Sequence, residues 1–135
     1  MKNLFLVTLD TATTPYTLIV SDRGKADMAQ KRHPQTLIWI LADELAKGQF
    51  DTPGFAFTTT PPPGIFGPPA PGSNGKSLSI TDNHEGKPSD GAWPYRLSVV
   101  YEGTTYVYEA DADARPSAEQ ADARMVMRDP IIINR

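Results

Sequence analysis

The chain has 135 residues, of which 39% are apolar and 21% charged, with a formal net charge of −3 and no cysteine. That length suits one domain spanning 1–135, and the apolar fraction is too high for wholesale disorder. The acidic balance argues against nucleic acid as a partner. The missing cysteines exclude disulfides, thiol nucleophiles, zinc ribbons and cysteine-ligated copper.

The first segment, "MKNLFLVTLD", offers one lysine and a four-residue apolar run. A signal peptide needs an apolar region of about 7–15 residues, so this segment reads as a first strand from Asn3 to Leu9. It is apolar nearly throughout, which predicts cover on both faces or a position where the chain switches sheets. No run approaches the ~20 apolar residues of a membrane helix, so a cytoplasmic protein with no membrane partner is expected. "YTLIVS" puts Tyr16, Leu18 and Val20 on one face, and "TLIWIL" does the same with Leu37, Trp39 and Leu41. "ADELAKG" predicts one helical turn ending at Gly48. "GFAFT" brings Phe55 and Phe57 together, and "SLSIT" points Leu78 and Ile80 inward.

Between these strands runs "TTTPPPGIFGPPAPGSNG", Thr58 to Gly75. Cutting the chain there leaves two pieces of roughly 60 residues, each barely able to bury a core. The segment therefore reads as a stiff proline-rich crossover within one sandwich, anchored by Ile65 and Phe66. Its Pro68-Pro69-Ala70-Pro71 matches P-x-x-P, but Gly64, Gly67 and Gly72 interrupt a polyproline helix.

The best-specified unit is "WPYRLSVVYEGTTYVYE". A two-residue Glu102-Gly103 turn pairs Tyr101 with Thr104, Val99 with Tyr106 and Leu97 with Tyr108, placing every large apolar residue on one side. A loop one residue longer splits the faces. "PSAEQADAR" has capping-box spacing but too few apolar positions for a buried face. "MVMRDPIIINR" gives a last strand with Pro130 at its start or at an edge, and Met125 and Met127 read as core. The sum is all-β: an antiparallel β-sandwich of about seven to eight strands.

"AWPYRLSVVYEGTTYVY" (Ala92–Tyr108) and "DPIIIN" (Asp129–Asn134), supported by Trp39 and the Phe55/Phe57 strand, resemble the DP-EP family of small prokaryotic immunoglobulin-like proteins. The resemblance implies an immunoglobulin-like sandwich with a buried tryptophan on its third strand, where Trp39 falls by strand count. This chain departs from the pattern by inserting "ADADARPSAEQADAR" before the terminal strand. The family has no assigned function, so the resemblance implies no site residue.

Two clusters carry candidate chemistry. Glu109, Asp111 and Asp113 share a face on a continuing strand, where a calcium ion would relieve their repulsion, or they form a solvated acidic edge. "ITDNHEGKPSDG" gathers Asp82, Asn83, His84, Glu85 and Asp90 around Gly86. His84 beside carboxylates suits a metal or general-base role, yet Asp, Asn, Gly and Pro in this order are also what a turn needs. The basic run Lys25, Lys31, Arg32 and His33 reads as a solvated connection or a contact for an anion. With no G-x-S-x-G elbow and only two histidines, no catalytic constellation is visible and no cofactor is expected. The expected function is a non-catalytic interaction or self-assembly module, a homo-oligomer through an edge strand. The alternative is a small-molecule, carbohydrate or metal-binding domain using loops near His84 or Asp111, with Asp82, His84, Glu85, Asp111 and Asp113 as surface site candidates.

Overall fold

The structure, a computed structural model, describes residues 3–12, 14–72, 74–109 and 130–135. Ten strands lie in this span, most of them with period-two alternation of apolar residues: β1 (Leu4–Asp10), β2 (Thr17–Val20), β3 (Lys25–Met28), β4 (Gln35–Leu41), β5 (Gln49–Phe57), β6 (Ala70–Pro71), β7 (Ser77–Asp82), β8 (Gly91–Tyr101), β9 (Thr104–Tyr108) and β10 (Ile131–Asn134). One sheet has the order β2-β1-β4-β7-β6. The other runs β3-β10-β8-β5, with β9 also paired to β8. The two pack as an all-β sandwich.

The sheets are mixed rather than purely antiparallel, because β1 lies parallel to β4 and β3 parallel to β10. The cause is a corner after β2. Asp22, Arg23 and Gly24 all take left-handed backbone angles (φ 53°, 52° and 72°), and the chain passes from one sheet into the other. It then returns to the first sheet as β4, running in the direction of β1. A Cβ at Gly24 would stand 2.6 Å from Tyr95 Oη and 2.8 Å from Pro130 Cβ, so only glycine fits there. The two short strands β3 and β6 account for the count exceeding seven or eight. Lys25–Met28 has only Ala26 and Met28 to bury, and Ala70–Pro71 has no apolar alternation at all.

The core joins Phe5, Val7, Leu37, Trp39 and Ile80 of the first sheet to Phe50, Phe55, Tyr95, Leu97 and Ile132 of the second. Trp39, on the fourth described strand, is fully buried. Its ring lies 5.6 Å from Phe5, 5.2 Å from Phe55 and 5.3 Å from Tyr95 between centroids, and such pairs add about 0.5–1.5 kcal/mol each beyond burial. Trp39 Nε1 donates to Tyr95 Oη at 3.2 Å, which in turn donates to the Gly24 carbonyl at 2.5 Å. One aromatic hub thus satisfies its polar atoms and holds the corner between the sheets.

β8 and β9 form the expected hairpin, with Tyr101 opposite Thr104, Val99 opposite Tyr106 and Leu97 opposite Tyr108. Glu102 and Gly103 both have positive φ (51° and 78°), the type I′ geometry that matches strand twist. A turn over Asp43–Lys47 precedes Gly48. The proline-rich segment lies along the outer side of β7. Ile65 is buried and Phe66 half-buried with its ring 4.8 Å from Phe57. Asn83 N donates to Ile65 O at 2.7 Å and Gly67 N to Thr81 O at 2.9 Å. Apolar residues from both flanks of the segment share one core cluster.

β1 departs from expectation. Phe5, Val7 and Leu9 are buried, but Leu4 and Leu6 are 52% and 46% exposed. The strand is covered on one face only, and its aliphatic outer residues stay open.

Candidate functional site: a sealed polar cluster and an open face

Alternation along β7 points Leu78, Ile80 and Asp82 inward, and His84 continues the same period. Asp82 and His84 were expected at the surface. Both are instead fully buried, because the inward face continues past the apolar residues, while Glu85 is exposed. Asp111 and Asp113 lie outside the described residues, as do Met125 and Met127. Three partners meet the buried pair from elsewhere: Ser89, from the turn at Lys87–Ser89, and Asn134 and Arg135 at the end of β10.

The hydrogen bonds are specific. His84 Nε2 donates to the Arg135 carbonyl at 2.6 Å, since a carbonyl can only accept, and this fixes the proton on Nε2. His84 Nδ1 and Ser89 Oγ are 2.6 Å apart, and Ser89 Oγ lies 2.8 Å from Gly86 O. Asn134 Nδ2 donates to Asp82 Oδ1 at 3.1 Å and to Ser89 O at 3.0 Å. Burial pushes the Asp82 carboxyl up to about 6, against the opposing pull of the Asn134 amide and the His84 ring. Outside this cluster Arg135 forms a two-point ion pair with Asp27, whose carboxyl it holds below the usual range.

Serine, histidine and aspartate do meet here, since Asp90 Oδ1 stands 3.6 Å from His84 Nε2. The chemistry of a nucleophile is nevertheless disfavoured. Ser89 is 6% exposed, and its single proton is shared between Nδ1 and the Gly86 carbonyl of its own turn. The Ser89 and Asp90 amides donate to Gly86 O and Lys87 O, so neither is aimed at a developing oxyanion. Among the described residues no group of three or more His, Asp or Glu is placed to hold a metal ion. The arrangement ties the 83–90 loop to the end of β10. Asn134 was legible in principle, because it follows Ile132 by two positions on an inward face. Ser89 carried no such signal, since a short helical turn has neither period.

Two further features among the described residues are open to solvent. A groove of about 710 Å3 runs between Pro62–Ile65 and the 83–89 loop, with Glu85 and Pro88 on its wall. The second feature is the outer face of the first sheet. Leu4 and Leu6 on β1 stand beside Ile38 and Ile40 on β4. Ile19, 47% exposed, lies opposite Thr8, and Ser77 and Ser79 extend the surface across β7. From Leu4 to Thr8, and at Thr17, Ile19, Thr36, Ile38, Ile40, Ser77, Ser79 and Thr81, the outward side chains carry no charge, and Asp10 at the end of β1 puts one carboxylate at the margin of this face, opposite Thr17. Lys25, Lys31, Arg32 and His33 are exposed elsewhere. No helix among the described residues is long and apolar enough to cross a membrane.

The class these features define is an all-β sandwich of two mixed sheets, with a sealed polar cluster and an outer sheet face whose aliphatic centre carries no charge. No protein-family model matches the chain, and no curated protein is significantly similar to it.

Proposed function

We propose that this protein is a non-catalytic, immunoglobulin-like self-association module that pairs with a second copy through the outer face of its first sheet. The carrying observation is the uncharged surface centred on Leu4, Leu6, Ile19, Ile38 and Ile40. A two-fold axis sets a patch against its own image, so a charge close to the axis meets its own copy; a neutral aliphatic centre with a hydroxyl rim avoids that repulsion. Strands of four, seven, seven, six and two residues, at ~3.3 Å per residue and ~4.8 Å spacing, give roughly 400 Å2 in projection before side-chain relief. A standard interface takes about 800 Å2 per partner, so this face supports a weak dimer, of ~micromolar affinity or weaker.

Edge-strand pairing has less support. β5 carries Pro53 and a register shift between Phe50 and Phe55, β6 is two residues long with a proline, β2 and β3 have four residues each, and β9, paired to β8 alone, has five. Sedimentation velocity across a range of about 10 μM to 1 mM, where a weak interface populates both states, tests the proposal. A dimer that grows with concentration and disappears in Leu6→Lys or Ile38→Lys supports it. A strict monomer at every concentration refutes it.

The groove beside Glu85 favours a second reading, a small-molecule or carbohydrate site. A ligand at 100 times its Kd adds about 2.7 kcal/mol, visible as several degrees of melting temperature. A sugar screen without any shift would retire that reading.

A further inference from the structure

Two buried oxygens in the polar cluster lack partners, Asp82 Oδ2 and Asn134 Oδ1. They belong to side chains already joined by the 3.1 Å bond from Asn134 Nδ2 to Asp82 Oδ1. The amide orientation is fixed, because its nitrogen also faces the Ser89 carbonyl at 3.0 Å, and a flip would set oxygen against two acceptors. The carboxylate form therefore leaves two acceptors with no donor in a site closed to water, an arrangement that costs free energy. One proton on Oδ2 remedies both, since a carboxylic acid and a primary amide bond reciprocally: N–H to one carboxyl oxygen, O–H to the amide oxygen.

We infer that Asp82 is a buried carboxylic acid that donates its Oδ2 proton to Asn134 Oδ1, forming a proton-dependent clasp between β7 and β10, one strand from each sheet.

The surrounding charges are few. From the adjoining loop His84 faces the carboxyl, and its Nε2 is 3.6 Å from Asp90, while Glu85 and Lys87 point to solvent. From β10, the Arg135 guanidinium turns away to Asp27 of β3. The β4 residue opposite Asp82 is Gln35, and the proline-rich segment contributes Phe66, both uncharged. The Asn134 amide, through its hydrogen bond to Oδ1, and then the His84 ring oppose protonation, and burial outweighs both. The sign follows. A carboxyl whose folded pKa lies above its unfolded value binds its proton more tightly when folded, so stability rises as pH falls through about 6 and levels off near 3.8. The clasp weakens as pH rises through the same interval.

The test measures melting temperature from pH 8 to pH 4 for the wild type and Asp82→Asn, together with the Asp82 carboxyl carbon resonance of the wild type. Asparagine keeps the shape of the protonated acid and never ionises. The expected results are a carboxyl that titrates near 6 and a wild-type melting temperature that rises on acidification relative to the variant. At pH 8 the variant should be at least as stable as the wild type. A carboxyl titrating at 4 or below overturns the inference. So does a variant less stable than the wild type at pH 8, or stabilisation by calcium that Asp82→Asn abolishes, which assigns the orphan oxygens to a cation. If the variant fails to fold, the wild-type carboxyl titration decides alone.

Discussion

Removing one oxygen from the core, by Tyr95→Phe, tests how the two sheets are held. Tyr95 Oη accepts from Trp39 Nε1 and donates to the Gly24 carbonyl, and Tyr95 and Trp39 are fully buried. The substitution keeps the ring contacts with Trp39 and Phe55 at 5.3 and 5.0 Å. It strips a donor and an acceptor of their partner in a place water does not reach. Each such loss costs about 1–3 kcal/mol, so a total near 2–4 kcal/mol is expected, a large share of the 5–15 kcal/mol typical of a domain. Urea unfolding followed by tryptophan fluorescence measures it, with the midpoint falling and the slope unchanged. In a Trp39→Phe background the indole donor is already gone, so Tyr95→Phe should cost about 1 kcal/mol less than in the wild type. A loss below about 0.5 kcal/mol for the single variant, or no coupling to Trp39, refutes the hub as the tie between the sheets.

Gly24→Ala should be more damaging than an ordinary loop substitution, because it combines φ +72° with a Cβ 2.6 Å from Tyr95 Oη; a loss of about 2–4 kcal/mol in urea unfolding is expected. Glu102→Asn replaces a residue at φ 51° with one that tolerates the left-handed region in the β8–β9 turn. It should stabilise by about 0.5–1 kcal/mol, read as a higher melting temperature. Ser89→Ala removes the hydroxyl between His84 Nδ1 and Gly86 O. A loss of about 1–2 kcal/mol, with faster amide exchange across residues 83–90, is expected.

The β8–β9 hairpin was legible to the residue because only one register keeps Leu97, Val99, Tyr101, Tyr106 and Tyr108 on one side. Trp39, Leu37 and Leu41 were legible for the same reason, and Ile65 stood out as an apolar residue among prolines. The sheet switch at Ser21–Gly24 was not. Two of its three left-handed residues are Asp22 and Arg23, which give no glycine signal, and β3 buries only Ala26 and Met28. Without the switch, the parallel pairings could not be anticipated. For β1, composition misled: "LFLV" is consistent with two covered faces, and nothing local says that the outer one stays open. The polar cluster was half legible. Its loop residues form one sequence motif, but Asn134 and Arg135 reach it across the sandwich from about 50 residues away, and it is their contacts that turn a candidate surface site into a sealed one.

The central claim is that the outer face of the first sheet pairs with its own copy, and concentration-dependent methyl spectra test it most directly. Between dilute and concentrated samples the methyl resonances of Leu4, Leu6, Ile19, Ile38 and Ile40 should move together. Those of Val107, exposed on β9, and of Leu97 and Val99, buried in the core, should stay in place. Spectra that do not change with concentration, or shifts centred on β9 instead, would contradict the account.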